Sequence, residues 1–321
     1  MSSPVTGIHH VTAIASDPQQ NIDFYAGLLG LRLVKRTVNF DDPSAYHLYY
    51  GDETGSPGSI VTFFYWPGME SKGSVGAGQM TAITFSVAPE SLDWWQQRLE
   101  AGGVPVARGL RFEEETLSFA DPDGIPLEIV AVADDARLGW TGSGVPAEHA
   151  LKGLHATELT VRSAAATEKL LQADMGYRLV RREGSRARFE AGPGGSGRYA
   201  DVIADPSGPF GEGGVGTIHH IAWRVATDEE ELSMKALLHK SGFAVSPVMD
   251  RDYFHSIYYR ERGGILFEIA TEAPGFAVDE DPATLGTLLK LPGQLEPLRD
   301  RIEKVLPPLS APSLPASNPA S

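Results

Sequence analysis

Two pairs of adjacent histidines, His9–His10 and His219–His220, stand about two hundred residues apart in the 321-residue chain, each at the start of an apolar run. A further polar residue, Glu268, lies within the apolar run ILFEIA, where a carboxylate is costly to bury unless it is paired or coordinated. Two imidazoles and one carboxylate are a common ligand set for non-haem Fe(II), and they leave coordination positions open. If these segments converge, the sequence predicts a metal centre that can take small molecules.

The elements that must position these residues recur along the chain. Four segments begin with a short strand-like run and continue into a helix-like segment; they start at Gly7, Gln79, Gly153 and Thr217. Each helix-like segment ends at a glycine, where a left-handed C-cap is expected: Gly30, Gly102, Gly176 and Gly242. Strand-like runs separated by turn residues follow, which is typical of hairpins. The sequence therefore predicts four βαβββ units (units one to four). Because one unit cannot bury both faces of its sheet, the units should pair into two half-barrel domains of an α+β fold.

A segment that contains Gly, Ser and Pro divides these repeats into two halves. The predicted boundaries are 7–133 for units one and two, 134–150 for a linker, 151–275 for units three and four, 276–306 for a C-terminal extension and 307–321 for a disordered tail. The tail is predicted from its composition, because PPLSAPSLPASNPAS is rich in Pro, Ser and Ala.

Alignment of the four units places candidate ligands at equivalent positions. On the first strands these are His10, Ala82, Ala156 and His220, and on the last strands they are Phe63, Glu128, Asp201 and Glu268. Pairing units one and four joins both histidines to Glu268 and leaves Phe63 as an apolar fourth position. Pairing units two and three brings no imidazole, so that half-barrel is predicted to lack a metal. Pairing three with four would give a poorer ligand set, and the chemistry therefore favours one with four.

His9 and His219 need a role other than metal binding, because adjacent side chains on a strand point to opposite faces. They could pack behind the site, orient a ligand, or reach the pocket edge from a bulged strand. His155 aligns with these outer histidines, and a structural role is predicted for it. Substrate contact stays open for His47 and His255, which lie near the predicted hairpins.

The unit order and the turn placement over residues 7–272 resemble the vicinal oxygen chelate superfamily, which includes glyoxalases and extradiol dioxygenases. Within it, the runs HHVTAIASDPQQNIDFYAGLLG and RDYFHSIYYRERGGILFEIA resemble the hydroquinone-cleaving ring dioxygenases. The resemblance implies an Fe(II) centre, with Mn(II) as the other metal that suits such ligands. The metal ligands that it implies are His10, His220 and Glu268. The pocket residues that it implies are His9, Thr12, His219, Arg251 and Tyr258.

In such an enzyme, Tyr258 would hydrogen-bond or protonate a bound phenolate, and Arg251 would stabilise developing negative charge. The expected function is a non-haem Fe(II)-dependent ring-cleaving dioxygenase that acts on a small hydroquinone or catechol-type aromatic diol with O2. Two other functions stay open. One is a metal-dependent glyoxalase-like lyase or isomerase, which usually has a fourth protein ligand, and the other is a small-molecule-sequestering binding protein.

The composition restricts the binding partners that the protein is expected to have and the cellular compartment in which it is expected to act. The net charge of −15 argues against binding to nucleic acid, because a polyanion would be repelled. The chain has no cysteine, which excludes disulfides, thiolate metal ligands and a cysteine nucleophile. No signal peptide and no membrane-spanning apolar stretch is recognised, so the expected location is the cytoplasm, without membrane association. The sequence is compatible with both a monomer and a homo-oligomer.

Overall fold

Short apolar runs split by turn residues fold into sixteen strands in the computed structural model, which describes residues 4–69 and 71–313. The strands are β1 Gly7–Ile14, β2 Arg32–Val38, β3 Tyr46–Gly51, β4 Ile60–Tyr65, β5 Gln79–Val87, β6 Ala107–Arg111, β7 Glu114–Ala120, β8 Pro126–Ala131, β9 Leu154–Val161, β10 Arg178–Glu183, β11 Arg186–Glu190, β12 Tyr199–Ala204, β13 Ile218–Val225, β14 Met249–Asp250, β15 His255–Arg260 and β16 Leu266–Thr271. The helices are α1 Pro18–Ile22, which continues as a π-helical segment over Asp23–Leu28, α2 Leu92–Ala101, α3 Ala164–Ala173, α4 Asp228–Lys240 and α5 Arg299–Val305.

These strands form two eight-stranded sheets, and each sheet is built from two units. The first has the order β14-β15-β16-β13-β1-β4-β3-β2 and joins units four and one; the second has the order β10-β11-β12-β9-β5-β8-β7-β6 and joins units three and two. The units meet through the antiparallel pairs β1–β13 and β5–β9, while the first and last strands of each unit run parallel. The predicted α+β fold with two half-barrels and the pairing of one with four are confirmed. Each half of the chain supplies one unit to each sheet.

The helix ends follow the sequence signals with one exception. Thr227 caps α4 by accepting a hydrogen bond from the amide of Glu230, as the spacing of a capping box requires. Gly102 lacks the predicted left-handed conformation: its φ is −76°, and Gly103 has a φ of 77° instead. The turn after α2 therefore lies one residue later than predicted. The three other predicted C-cap glycines have positive φ angles: Gly30, Gly176 and Gly242.

One face of each sheet packs against the helices and forms the apolar core. The aromatic residues there with almost no exposed surface are Tyr25, Tyr50, Phe63, Phe85, Trp95, Phe189, Trp223 and Phe267. Burying one such side chain contributes about 1.5–3 kcal/mol, which makes this face the main source of stability. The other face of each sheet carries buried polar residues, and the chemistry described below lies there.

Segments outside the strands are anchored to the sheets. In the predicted linker 134–150, Arg137 donates hydrogen bonds to the carbonyl oxygen of Gly58, next to the first sheet, and to that of Leu154 in the second. In the predicted tail, residues 307–313 lie along the first helix, since the amides of Ser310 and Ser313 donate to its side chains. Residues 307–313 thus contact the first helix, whereas residues 314–321 lie outside the described residues. No helix in the described part of the chain is long and apolar enough to cross a membrane.

A buried lysine clamps the C-terminal extension to β2. The Nζ atom of Lys35 lies 2.6 Å from Oδ1 of Asp279 and also contacts Glu280, and the Lys35 side chain is fully buried. Tyr253 donates a hydrogen bond to Asp279 at 3.2 Å, and the Lys35 ammonium lies 4.9 Å from its ring centre. Because Tyr253 belongs to the loop before β15, the clamp also supports the loop that carries Arg251.

The Lys35→Met variant should unfold with a free energy about 1–3 kcal/mol lower, because Glu280 and Asp279 lose their buried partner. The extension should also be cut faster by a protease, and the cleavage sites should fall between residues 279 and 298. A suitable control is Lys290→Met, because no ion pair of Lys290 is found among the described residues. Equal cleavage rates in the two variants would contradict the clamp.

Candidate metal centre

Three side chains from three neighbouring strands converge in the first half-barrel. His10 lies on β1, His220 on β13 and Glu268 on β16, and their potential ligand atoms all lie within 4.8 Å of one another. The Oε2 atom of Glu268 is 2.8 Å from Nε2 of His220 and 3.3 Å from Nε2 of His10. All three residues are buried. The predicted ligand candidates are therefore brought together by the pairing of units one and four.

A β-bulge on each central strand places the adjacent histidines side by side. The register of the β1–β13 pair skips His9 on one strand and His219 on the other. Simple alternation predicts opposite faces, but the rings within each pair lie 5.1 Å apart at 81° and 76°. A bulge adds one residue and re-aims its side chain. His9 and His219 therefore lie against His10 and His220, as the bulged-strand alternative anticipates.

The hydrogen bonds of His9 set the tautomer of His10. Nε2 of His9 is 3.0 Å from the carbonyl oxygen of Thr271, which can only accept, so this nitrogen carries the proton. Burial and the neighbouring His10 lower the pKa of His9 to about 3, so the ring is neutral and its Nδ1 accepts from Nδ1 of His10 at 2.9 Å. His10 therefore donates from Nδ1, and its Nε2 faces Glu268 and is the nitrogen that would bind a metal. His219 and His220 repeat the Nδ1–Nδ1 contact at 2.8 Å.

The unpaired atoms of this cluster fit a divalent cation. Among the described residues, Nε2 of His220 and both carboxylate oxygens of Glu268 have no hydrogen-bond partner although they are buried. Burial raises the pKa of Glu268, but the two flanking histidines outweigh it and hold that pKa well below its usual range. Burial lowers the pKa of His220. Buried polar atoms without hydrogen-bond partners are costly, and a carboxylate beside two imidazoles is the donor set of a two-His-one-carboxylate metal site.

The fourth position of the site belongs to Thr62, and the alignment that places Phe63 there is wrong by one residue. Thr12 of β1 pairs with Thr62 of β4, just as Ala222 of β13 pairs with Glu268 of β16. Thr12 and Ala222 each follow a candidate histidine ligand by two residues, so Thr62 is the counterpart of Glu268. Phe63 points to the opposite face and packs in the apolar core. A shift of one residue along a strand reverses the face.

A cavity of about 300 Å³ opens beside the three ligand candidates. Its aromatic walls are formed by Phe40, Tyr49, Phe64, Trp66, Phe254 and Tyr258. Of the residues predicted to act around a metal, Thr12, His219, Arg251 and Tyr258 line the cavity, while His9 lies behind His10. Aromatic walls with a few convergent polar groups suit a small planar ring that carries hydroxyl groups.

Arg251 and Tyr258 act as a pair in the cavity wall. The Tyr258 oxygen accepts hydrogen bonds from Nε of Arg251 at 3.3 Å and from Oγ of Ser256 at 3.1 Å. Arg251 also forms an ion pair with Asp41 at 3.2 Å. Burial raises the pKa of Tyr258, so the hydroxyl keeps its proton. Because both lone pairs of this oxygen are occupied, its own O–H is available to donate into the cavity.

His47 lines the cavity as well, although the sequence left its role open. Its Nε2 is 2.7 Å from Oγ1 of Thr62, and its Nδ1 is 2.9 Å from the hydroxyl of Tyr49. The alternation within β3, YHLYYG, could have found this pair, because it places His47 and Tyr49 on one face. The loop residues that complete the wall carry no such periodic signal: Asn39, Phe40, Asp41 and Phe254.

The two other histidines considered from the sequence lie away from the cavity. His155 contacts Ser196 at 2.9 Å and Glu114 at 3.2 Å in the second sheet. His255 contacts Asp228 at 2.9 Å, in the first turn of α4. Both rings have ordinary polar partners, so their hydrogen bonds need no ligand.

The second half-barrel carries an ion-pair network in the place equivalent to the ligand cluster. The two carboxylates that the alignment puts there are buried: Glu128 contacts Arg111, and Asp201 contacts Arg188 at 2.8 Å. Further pairs join Arg111 and Arg186 to Glu158, and Arg188 to Glu114. Guanidinium groups thus neutralise the carboxylates that face the inside of this half-barrel.

Comparison with known proteins agrees with this architecture. Residues 7–129 match the family model described as the Glyoxalase/Bleomycin resistance protein/Dioxygenase superfamily. MhqO of Bacillus subtilis (strain 168), provisionally named a ring-cleaving dioxygenase, is 46% identical over 308 residues, which cover 96% of this chain and 98% of MhqO. The chlorohydroquinone/hydroquinone 1,2-dioxygenase of Sphingobium indicum is 34% identical over 94% of this chain and 96% of that enzyme.

A solved structure matches the whole chain. The crystal structure of a Bacillus subtilis protein (strain 168), provisionally described as a dioxygenase, has 44% sequence identity and a TM-score of 0.93, and the match covers 98% of this chain and 100% of that one. The similarity therefore extends over both half-barrels and the C-terminal extension. The chain belongs to the Glyoxalase/Bleomycin resistance protein/Dioxygenase superfamily, together with full-length relatives that are named ring-cleaving dioxygenases.

Proposed function

We propose that this protein is a ring-cleaving dioxygenase that uses O2 to open an aromatic diol of the hydroquinone or catechol type, with Fe(II) as its metal. The observation that carries the proposal is the buried set of His10, His220 and Glu268, which opens on a cavity of about 300 Å³ with aromatic walls. Relatives along the full length of the chain are named for ring cleavage, and one is named for hydroquinones.

The bound metal would bring the diol and O2 together and pass electron density between them. The protein's own groups position the ring and manage its protons. The aromatic walls bind the ring faces, and Tyr258 donates a hydrogen bond to a ring oxygen because its own oxygen is already saturated. Arg251 holds Tyr258 in this orientation and stabilises negative charge that develops on the substrate. Mn(II) prefers similar ligands and is the second candidate metal.

The alternative functions fit the site less well. A glyoxalase-like lyase or isomerase usually has a fourth protein ligand, whereas the Thr62 hydroxyl at that position is bonded to Thr12 and His47. A sequestering protein needs a cavity but has no use for a buried carboxylate with two unpaired oxygens. Both alternatives predict that turnover, if any, is independent of O2.

The deciding experiment is anaerobic reconstitution with Fe(II), followed by measurement of O2 uptake with substituted hydroquinones and catechols. One iron per chain and one O2 consumed per ring opened are expected. The same protein loaded with Zn(II) serves as the control, because Zn(II) has no redox chemistry and should support no uptake. Iron-loaded protein that consumes no O2 with any diol would refute the proposal. Turnover without O2 would favour the lyase.

The Tyr258→Phe variant should keep its iron and lose roughly ten- to hundredfold in kcat, the range for removing a group that tunes a metal site from outside its ligands. The matched control is Tyr259→Phe, because the adjacent hydroxyl points to the opposite face and contacts the sulfur of Met175. Steady-state O2 uptake with both variants measures the effect. An equal, small loss in both would show that the Tyr258 hydroxyl has no part in turnover.

A further inference from the structure

A line of hydrogen bonds crosses three strands of the first half-barrel and ends at the cavity. It runs from the Tyr49 hydroxyl to Nδ1 of His47 (2.9 Å), from Nε2 of His47 to Oγ1 of Thr62 (2.7 Å), and from Oγ1 of Thr62 to Oγ1 of Thr12 (3.0 Å). The two threonines are fully buried, and Tyr49 is 2% exposed. Thr62, which is fully buried and does not line the cavity, therefore depends on its neighbours in the line for its hydrogen bonds.

The direction of this line follows from counting protons. The geometry makes Thr62 the donor to Thr12. A threonine hydroxyl has one proton, so Thr62 must accept from His47, and Nε2 of His47 carries a proton. Burial lowers the pKa of His47 well below its ordinary value, with further lowering by the nearby His10 and His220, so its ring is neutral. Its Nδ1 then accepts from Tyr49. Tyr49, His47 and Thr62 therefore all donate in one direction, towards Thr12.

Thr12 is the end of the line and lines the cavity, as His47 and Tyr49 also do. Its oxygen already accepts from Thr62, and no acceptor for its own proton is found within the described part of the chain. Thr12 lines the cavity together with His10, which precedes it by two residues on β1. Thr62 holds the fourth position of the metal site, the counterpart of Glu268. The Thr62 hydroxyl, which holds the position of a fourth metal ligand, thus orients the Thr12 hydroxyl instead.

We propose that His47 and Thr62 are positioning residues that hold the Thr12 hydroxyl as a hydrogen-bond donor to an anionic oxygen in the cavity. This inference rests on the proposed function for the identity of that oxygen, which belongs to the diol or to O2. A reversed line, in which Nδ1 of His47 carries the proton, would turn Thr12 into a donor to Thr62 and leave the cavity without this donor. The tautomer of His47 therefore decides between the two arrangements.

The first test reads the tautomer directly in metal-free protein. Nitrogen NMR of protein labelled with ¹⁵N-histidine should show that Nε2 of His47 is protonated and Nδ1 is not. The signals of His47 among the nine histidines are identified by their loss in His47→Gln. In Tyr49→Phe the donor to Nδ1 is gone, and the preference for this tautomer should fall. A protonated Nδ1 in the unsubstituted protein overturns the proposal. Because no turnover is involved, this result is independent of whether the protein cleaves rings.

The second test compares Thr62→Val, Thr62→Ser and Thr157→Val in the iron-loaded enzyme. Thr157 is the matched control, since it is a fully buried threonine of the second sheet whose hydroxyl has no partner among the described residues. Thr62→Val should lower kcat roughly ten- to hundredfold with little change in KM, while iron content stays the same. Thr62→Ser should restore most of kcat, because the serine hydroxyl can take the same two hydrogen bonds. A Thr62→Val enzyme as active as Thr157→Val overturns the proposal.

Discussion

The Glu268→Gln variant should bind Fe(II) far more weakly than the unsubstituted protein and should cleave no ring. Removing only an outer partner of a metal ligand costs roughly 10–100-fold in affinity, so the loss of a direct carboxylate ligand should exceed that range. The amide keeps the shape of the side chain but removes the negative charge that draws a divalent ion into a buried site. Iron content after anaerobic reconstitution measures the effect, together with O2 uptake.

Stability should respond to this substitution to different extents with and without metal. In the unsubstituted protein, metal at a thousand times its Kd should raise the free energy of unfolding by about 4 kcal/mol. In Glu268→Gln this increment should nearly vanish. Without metal, the variant should also be somewhat less stable than the unsubstituted protein, because the two histidines stabilise the ionised form of Glu268 in the folded state and the amide cannot take that form. Thermal unfolding with and without Mn(II) separates the two effects and avoids oxidation of iron.

The control for this variant is Glu128→Gln, which changes the residue that holds the equivalent place in unit two. Glu128 pairs with Thr84 in the same register in which Glu268 pairs with Ala222. Its partners are Arg111 and Ser118, so its loss should leave iron binding unchanged. A Glu268→Gln protein that still holds one iron per chain would remove Glu268 from the site.

The convergence of the candidate metal ligands could be predicted from the sequence because equivalent positions of the repeated units carry them. His10 and His220 stand at the same place in two units, and a carboxylate inside the apolar strand around Glu268 makes sense only beside a partner. Together these two observations favour the pairing of units one and four. The resulting sheet order has β1, β13 and β16 as neighbours.

The register of strands that are joined by turns of different length could not be predicted from the sequence. Phe63 and Thr62 differ by one position, and only the pairing with Thr12 decides which faces the cavity. For the same reason the bulges at His9 and His219 could be raised from the sequence only as one of three alternatives, because a bulge is a property of two paired strands. The loop residues Asp41 and Phe254 come from segments without periodicity, so no sequence pattern indicates that they line the cavity.

The largest loss of stability from one substitution outside the site is expected for Arg188→Leu, at about 3–5 kcal/mol. Arg188 binds Asp201 through two hydrogen bonds of 2.8 and 3.0 Å and contacts Glu114 at 2.6 Å. Its guanidinium also lies 4.4 Å and 4.6 Å from the ring centres of Phe112 and Tyr199. Leucine would leave the buried Asp201 carboxylate with only a longer contact, 3.4 Å, to Arg186. Denaturant unfolding measures the loss.

Two further variants test whether that loss of stability comes from a buried carboxylate left without a partner. Arg182 lies on the strand next to that of Arg188, and Arg182→Leu removes a bidentate pair with Glu168 of α3; because this arginine is half exposed, the change should cost at most about 1 kcal/mol. Adding Asp201→Leu to Arg188→Leu should recover part of the stability, because the unpaired carboxylate is removed with its partner. Iron binding should survive in all three proteins, since the network and the metal ligands lie on different sheets. If Arg188→Leu cost no more than Arg182→Leu, the inside of the second half-barrel would have to be open to water, and its carboxylates would not need their arginines.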